Sequence, residues 1–457
     1  MSITNRVARW IIQTELETLS AIVVEKAKKS ILDTLGVAIA GVNTDVSGVI
    51  SAYLETLGGN PQSRVWGTAI KTSIQLAALA NGTIGHALDY DDTSHSYIGH
   101  PSISVLPAVV ATGEQVNASG ADVVLAFVIG TEAACKLGAM VSPKMYADGW
   151  HSTSIIGAFG AAAGAAKILG LTECQVSHAL GIVTAQASGI KGHFGTAAKP
   201  YQVGRSAENG VVAALLAQKG LRSNSDIFEK ESGFCHTFKV SHETDPFLST
   251  LGNPFDINQP GFYLKEFPSC SSTHPALNAT IALIQKHAID PLMVKNIDCA
   301  STPLVVDSLP YSDPQNVDQA RFSLQFCLAR ALLNQGALTL ADFCLEFLND
   351  PETLLIMDKI KLRLSSELAK KGYAPADGPE AAIIKISMKD GRQYQSQAAF
   401  ADWRPNKMPS WETLAGKFCD CVSQAMSSQK SDQAVEMIRR IEYIPEIEEV
   451  TALISAI

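Results

Sequence analysis

The feature that most narrows the fold is a series of apolar segments of helical length crowded with glycine and alanine. In STSIIGAFGAAAGAAKIL, residues 152–169, Gly157, Gly160 and Gly164 sit at offsets of three and seven and so fall near one face of a helix. A face without side chains lets a neighbouring backbone come close, so tight helix stacking is expected. Helical patterns recur over 20–41, 74–90, 103–117, 122–141, 152–169, 172–188 and 205–219. The first half reads all-α.

The pattern changes after about residue 260. There VKNIDCASTPLVV reads as a strand and AAIIKISMKDGRQYQSQ as a hairpin turning at Asp390 and Gly391. Helical spacing returns over 411–426 and 431–440. A chain of 457 residues exceeds one ordinary domain. The expected fold class is therefore mainly α, a large all-helical domain plus a smaller α+β lid domain. The expected division is 1–262 for the first part of the helical domain, 263–400 for the lid, and 401–457 for a tail that completes the helical domain.

Several function classes fall away on composition. The net charge of −9 is spread along the chain with no basic tract to neutralise phosphates, so nucleic acid is not an expected partner. Glu15 and Glu17 come too early for a signal or transit sequence, and the apolar run 155–166 is too short to span a bilayer, so a cytoplasmic protein without a membrane segment is expected. Nine cysteines are scattered, with Cys419 and Cys421 the only close pair and no CxxC, which predicts free thiols and argues against a thiolate-held cluster or structural zinc.

Polar residues concentrate in HALDYDDTSHSYIGHPS, residues 86–102. If helix continues through this stretch, His86, Asp89 and Thr93 share a face while Asp91 and Asp92 point elsewhere. Four cationic or imidazole residues each stand just before a probable helix start: His100, His151 in GWHSTS, Lys199 in TAAKPYQVG, and Lys265 in LKEFPSCSSTHP. Helix N-termini carry unpaired N–H groups and partial positive charge, so a cation beside one suits a carboxylate or phosphate. Taken singly, each residue serves equally as a cap or a surface group. Asp89, Asp91 and Asp92 with His95 and His100 also offer ligands to a divalent ion.

The blocks NGTIGHALDYDDTSHSYIGHPS, GWHSTSIIGAFGAAAGAAKILGL, GTAAKPYQVGRSAENG and LKEFPSCSSTHPALN resemble, in order, the signature blocks of the MmgE/PrpD family. The early LDTLGVAIAG and the later PYSDPQNVDQARFSLQFCLARALL fit too, so the likeness runs from about residue 20 to 425. That family includes 2-methylcitrate dehydratase, cis-aconitate decarboxylase and iminodisuccinate epimerase. The resemblance implies a site between a helical domain and a lid, a small polycarboxylate substrate, no cofactor or metal, and a homodimer. It carries Asp89, Thr93, His100, His151, Lys199, Lys265 and Tyr311 over as site residues. Tyr146 matches a tyrosine proposed as acid or base in the epimerase branch, and His86 and Ser269 are expected to help bind substrate. Two departures stand out: the stretch from Thr93 to His100 is one residue longer than in the decarboxylase-like members, and the usual KPxHxG reads KPYQVG, with Gln202 where histidine is common.

The chemistry so implied is proton abstraction next to a carboxylate, which creates an enolate-like dianion needing nearby cations and donors. On this reading His151 and His100 move protons, Lys199 and Lys265 hold carboxylates, Asp89 orients an imidazole or takes a proton, and Tyr311 donates on the opposite face. The expected function is a cofactor-free lyase, a dehydratase or decarboxylase. The alternatives are an epimerase or isomerase of a dicarboxylate, a non-catalytic carboxylate binder, and a metal-dependent hydrolase.

Overall fold

A computed structural model describes residues 2–238, 248–368, 380–399 and 408–455. The long helices of its first half are α1 (Ile3–Gln13), α2 (Ala21–Gly41), α3 (Asp45–Leu57), α4 (Ile74–His86), α5 (Pro101–Val116), α6 (Gly120–Val141), α7 (Ser152–Ile168), α8 (Glu173–Val183) and α9 (Ala198–Gln218). Local chemistry sets several of their starts. Ser119 and Asp122 form a reciprocal capping box on α6, and Thr172 and Gln175 form another on α8.

Glycine governs how these helices meet. A Cβ at Gly157 would lie 2.5 Å from Ser104 of α5, and one at Gly160 would lie 2.7 Å from the Gly130 carbonyl of α6. The small face expected on α7 is thus used for close backbone approach. Between α4 and α9 the fit is tighter, because a Cβ at Gly204 would lie 2.0 Å from Thr83 Oγ1 and 2.3 Å from the Leu79 carbonyl. Neither obstacle is a flexible side-chain end, so Gly204→Ala should destabilise the protein by about 1–3 kcal/mol, read as a lower melting temperature. An unchanged melting temperature would contradict the close approach.

The helix α6 is long and apolar enough to cross a membrane by composition, yet its most apolar window is 94% buried among other helices. Its Lys136 pairs with Asp256 at 2.7 Å. All nine cysteines are free thiols, as expected.

After residue 262 the structure becomes mixed. A four-stranded sheet has the order β2–β1–β3–β4, with β1 at Val294–Ser301, β2 at Ile360–Leu364, β3 at Ala382–Met388 and β4 at Gln393–Ala398. β1 runs parallel to β2 and antiparallel to β3, and β3 and β4 form the expected hairpin, with Gly391 at φ +92 in its turn. Helices α10 (His274–His287) and α11 (Leu324–Leu333) pack with the sheet in one apolar core that includes Leu277, Phe326, Ile297 and Ile384. The tail forms α12 (Trp411–Val422), α13 (Ser428–Arg439) and α14 (Glu448–Ser455). Trp411, Phe418, Ile438 and Ile454 of that tail sit in the same core as Val7, Leu35 and Phe127 of the first half. The expected boundary at 400 and 401 lies outside the described residues.

Three local expectations are corrected. Helix does not continue through residues 87–100: α4 stops at His86, and Asp89 takes φ +49, left-handed backbone that ends the regular turn. Lys199 is not in a loop, since α9 begins at Ala198 and accommodates Pro200 in its first turn, where proline lacks only a donor that would be orphaned anyway. The strand read over 294–306 ends at Ser301, and Pro303–Ser308 is a short helix.

Candidate active site

Three helix starts converge on one cleft. His100 is the N-cap of α5, His151 the N-cap of α7, and Lys199 lies in the first turn of α9. All three line one cleft, together with Asp89, Thr93 and Tyr146. Backbone links fix the approach: the His100 N–H donates to Thr153 Oγ1 at 3.2 Å, and the His151 N–H donates to the Gly189 carbonyl at 3.0 Å. Asp92 caps α5 through the Ser102 N–H at 3.2 Å and the Ser102 hydroxyl at 2.5 Å, and burial pushes its carboxyl up to about 8.

Breaking the helix at Asp89 has a purpose that spacing alone concealed. The loop that follows pairs Thr93 with Tyr263, N–H to carbonyl at 3.0 and 2.8 Å in the two directions, which brings Lys265 under Asp89. Asp89 Oδ1 then accepts from Lys199 Nζ at 3.0 Å and from Lys265 Nζ at 2.9 Å. Burial opposes ionisation of Asp89, but the two ammonium groups outweigh it and hold the carboxyl far below the usual range. Burial likewise works against charge on Lys265, and Asp89 with Asp91 reverses it, pushing that ammonium up.

A second carboxylate orders the imidazoles. Asp91 accepts from His86 Nδ1 at 2.8 Å through one oxygen and lies 3.1 Å from His100 Nδ1 through the other. An ionised carboxylate only accepts, so His86 carries its proton on Nδ1 and presents a lone pair at Nε2, where Lys199 Nζ donates at 2.8 Å. Burial drives the His86 pKa down to about 4, which keeps this ring neutral. The chain Asp91, His86, Lys199, Asp89, Lys265 is one continuous hydrogen-bonded unit, so the lysine that lines the cleft is held from two sides.

The expected residues therefore divide. Asp89, Thr93, His100, His151, Lys199 and Tyr146 line the cleft. His86 and Lys265 stand behind it, buried, and act on its lining through Lys199 and Asp89. Two expectations are corrected. Tyr311 does not line the cleft: its hydroxyl donates to the Phe194 carbonyl at 2.6 Å, and so it supports the loop that carries Phe194. Ser269 is fully buried and bonds Thr273 at 2.8 Å, while its neighbours Cys270, Ser271 and Ser272 do reach the cleft.

The sequence matches the MmgE/PrpD N-terminal domain over residues 5–246 and the MmgE/PrpD C-terminal domain over residues 267–443. The chain belongs to the MmgE/PrpD family. It is 29% identical to a cis-aconitate decarboxylase of Homo sapiens over 474 residues, covering 99% of this chain and 95% of that one. It is 28% identical to one of Mus musculus over 99% and 93% of the two chains, and 26% identical to one of Aspergillus terreus over 92% and 90%.

Within this MmgE/PrpD site, several contributors escaped the sequence reading. Asp91 was expected to point away, and the loop turns it onto two imidazoles instead. Glu380 lines the cleft, where it accepts from Ser271 at 2.7 Å and Ser272 at 2.9 Å and lies 3.3 Å from His95 Nε2. Burial opposes its ionisation, but the His95 hydrogen bond and charge and the two serine hydroxyls win and bring its pKa to about 2. Phe194 and Phe322 also line the cleft, and both rings lie near Lys199 Nζ, at 5.2 and 5.1 Å from their centroids. No spacing in the chain links Glu380 to residue 95 or Phe322 to residue 199, so only the fold could find them.

The metal alternative is tested by the donor set. Facing atoms of His86, Asp89, Asp91 and His100 lie within 4.8 Å of one another, which differs from the set read from sequence by including His86 and omitting Asp92 and His95. Yet Asp89 Oδ1 already holds two ammonium groups, and His86 Nε2 faces one of them. A divalent ion there would confront both lysines, so the residues do not fit one.

Proposed function

We propose that this protein is a cofactor-free lyase that decarboxylates cis-aconitate or a closely similar unsaturated tricarboxylate. The observation that carries the proposal is the convergence of Lys199, His100 and His151, each at a helix start, on one cleft in a chain that aligns along nearly its whole length with cis-aconitate decarboxylases. Those relatives favour decarboxylation over dehydration. No observation favours the epimerase alternative.

Decarboxylation of cis-aconitate needs no hydroxyl leaving group and no abstraction of a carbon-bound proton. The bond from the CH2 carbon to its carboxylate breaks and CO2 departs. The freed pair forms a new double bond to the central carbon, and the old double-bond pair moves to the outer carbon, where the adjacent carboxylate shares it as an enolate-like dianion. A proton delivered to that carbon gives 2-methylenesuccinate, and one proton is consumed per CO2 released. The step beside the carboxylate is thus proton delivery, where the sequence reading expected removal.

Lys199 supplies positive charge where the dianion develops, and the neighbouring phenylalanine rings lower the local polarity and strengthen that attraction. Among the described residues the Thr93 hydroxyl and His151 Nε2 have no hydrogen-bond partner, which leaves both for substrate oxygens. An imidazole edging the cleft delivers the proton.

The test is a panel of cis-aconitate, citrate, 2-methylcitrate and malate with chelator-treated protein, following CO2 release and the appearance of the product's terminal methylene group. Turnover of cis-aconitate with equimolar CO2, undiminished by chelator, is expected. Dehydration of a hydroxy acid without CO2 would replace this reading, and loss of activity with chelator would revive the metal alternative.

A further inference from the structure

The two histidines that edge the cleft are held differently on their inner sides. His100 Nδ1 faces acceptors: the Asp91 carboxylate at 3.1 Å and the Asp92 carbonyl at 2.9 Å. His151 Nδ1 faces the side-chain amide of Gln202, with Nε2 of the glutamine 3.2 Å away. Which end of that amide points at the ring is fixed by backbone groups that have no choice of role. The Ile190 N–H can only donate, and it meets Gln202 Oε1 at 2.6 Å; the Ile190 carbonyl can only accept, and Gln202 Nε2 reaches it at 3.3 Å. Rotating the amide would break both contacts at once.

This strap is built into the fold. Ile190 pairs with Trp150 as an isolated antiparallel bridge, and the neighbouring Gly189 carbonyl accepts from the His151 N–H. Gly189 itself has φ +138, and a Cβ there would lie 2.9 Å from Gln202 Oε1, so only glycine admits the amide at this distance. With an N–H of Gln202 aimed at it, His151 Nδ1 must offer a lone pair. The ring proton is then on Nε2, an atom with no hydrogen-bond partner among the described residues.

We propose that Gln202 is a positioning residue that locks His151 as a neutral imidazole with its proton on Nε2, making His151 a fixed hydrogen-bond donor to an anionic substrate oxygen and leaving proton delivery to His100. The groups facing His151 agree with this division. The Lys199 ammonium disfavours positive charge on the ring, Asp89 favours it, and the Phe194 ring packs edge-on at 5.3 Å. Burial is the larger effect, and with the Lys199 ammonium it holds the His151 pKa well below its ordinary value. His100 is also lowered by burial, but it has the Asp91 carboxylate on Nδ1 to stabilise its charged form. The catalytic part of this assignment rests on the decarboxylase reading above, whereas the tautomer does not.

The test uses the full chain labelled with ¹⁵N-histidine, with the His151 signals assigned by their absence in His151→Gln. The expected result is a neutral ring protonated on Nε2 from pH 8 down to pH 5. Gln202→Glu should place an acceptor at Nδ1 and move the His151 titration midpoint upward by at least one pH unit, and Gln202→Leu should release a mixture of both tautomers. On cis-aconitate, Gln202→Leu should raise KM about tenfold and leave the pH limb of kcat where it was, because that limb belongs to His100. A wild-type His151 that is charged at pH 7 or protonated on Nδ1 overturns the proposal, whether or not the protein turns over cis-aconitate or the variants fold. A kcat limb that moves with Gln202→Glu in step with the His151 signal would also overturn the division of roles. Absence of turnover with the expected tautomer would strike the decarboxylase reading alone.

Discussion

Replacing Lys199 with alanine should lower kcat/KM for cis-aconitate by about 10³-fold while the protein stays folded. Removing one donor that meets developing negative charge in a water-poor site typically costs about 10²- to 10³-fold, and here the lost group is a full cation facing a polyanion. Lys199 Nζ is buried, lines the cleft, and is aimed by His86 at 2.8 Å and Asp89 at 3.0 Å. Arginine should not rescue, because its planar fork cannot enter the space a single ammonium occupies between those two acceptors. Steady-state kinetics beside a circular-dichroism melt check this. A loss of less than tenfold would mean that the dianion is stabilised elsewhere.

Asp89→Asn should have the largest effect on stability, about 3–5 kcal/mol in urea unfolding. Asparagine keeps the shape and tolerates the left-handed backbone at φ +49, so the substitution removes charge and little else. What remains is two buried ammonium groups that had shared Asp89 Oδ1, now without the carboxylate that both contact, and breaking a buried pair by removing one partner costs about this much. Lys265→Met added to Asp89→Asn should recover part of the loss, since it removes one of the stranded cations. If Asp89→Asn unfolds at the wild-type urea concentration, the lysines are neutral or paired elsewhere, and the electrostatic account of the site fails.

The helical half was legible because its signals are local. Glycine spacing on 152–169 announced close packing, and the structure uses Gly157 and Gly160 that way. The hairpin at Asp390 and Gly391 was equally plain, since a turn of that kind is written in two adjacent residues. Helix ends were harder: Asp89 and Thr93 kept helical spacing with His86, and nothing nearby forbade another turn, yet the pairing of Thr93 with Tyr263 stopped it. Proline gave an unread clue at Pro200, where it marks the first turn of α9 instead of a loop. The ordered blocks named the right neighbourhood for the site but not its depth. Lys199 and Lys265 look alike in sequence, and only the fold shows that one faces the cleft while the other serves its carboxylate neighbour from behind. Tyr311 and Ser269 fell outside the cleft for the same reason, since membership of a block fixes position to within a few residues and a cleft wall demands better.

The measurement that bears most directly on the central claim is proton and carbon NMR of cis-aconitate incubated with the protein in D2O. Decarboxylation with delivery of one solvent proton predicts 2-methylenesuccinate carrying a single deuterium on the saturated carbon next to a carboxylate, with one CO2 for each substrate consumed. Deuterium appearing in unreacted substrate without CO2, or hydration of the double bond in place of carbon–carbon cleavage, would contradict it.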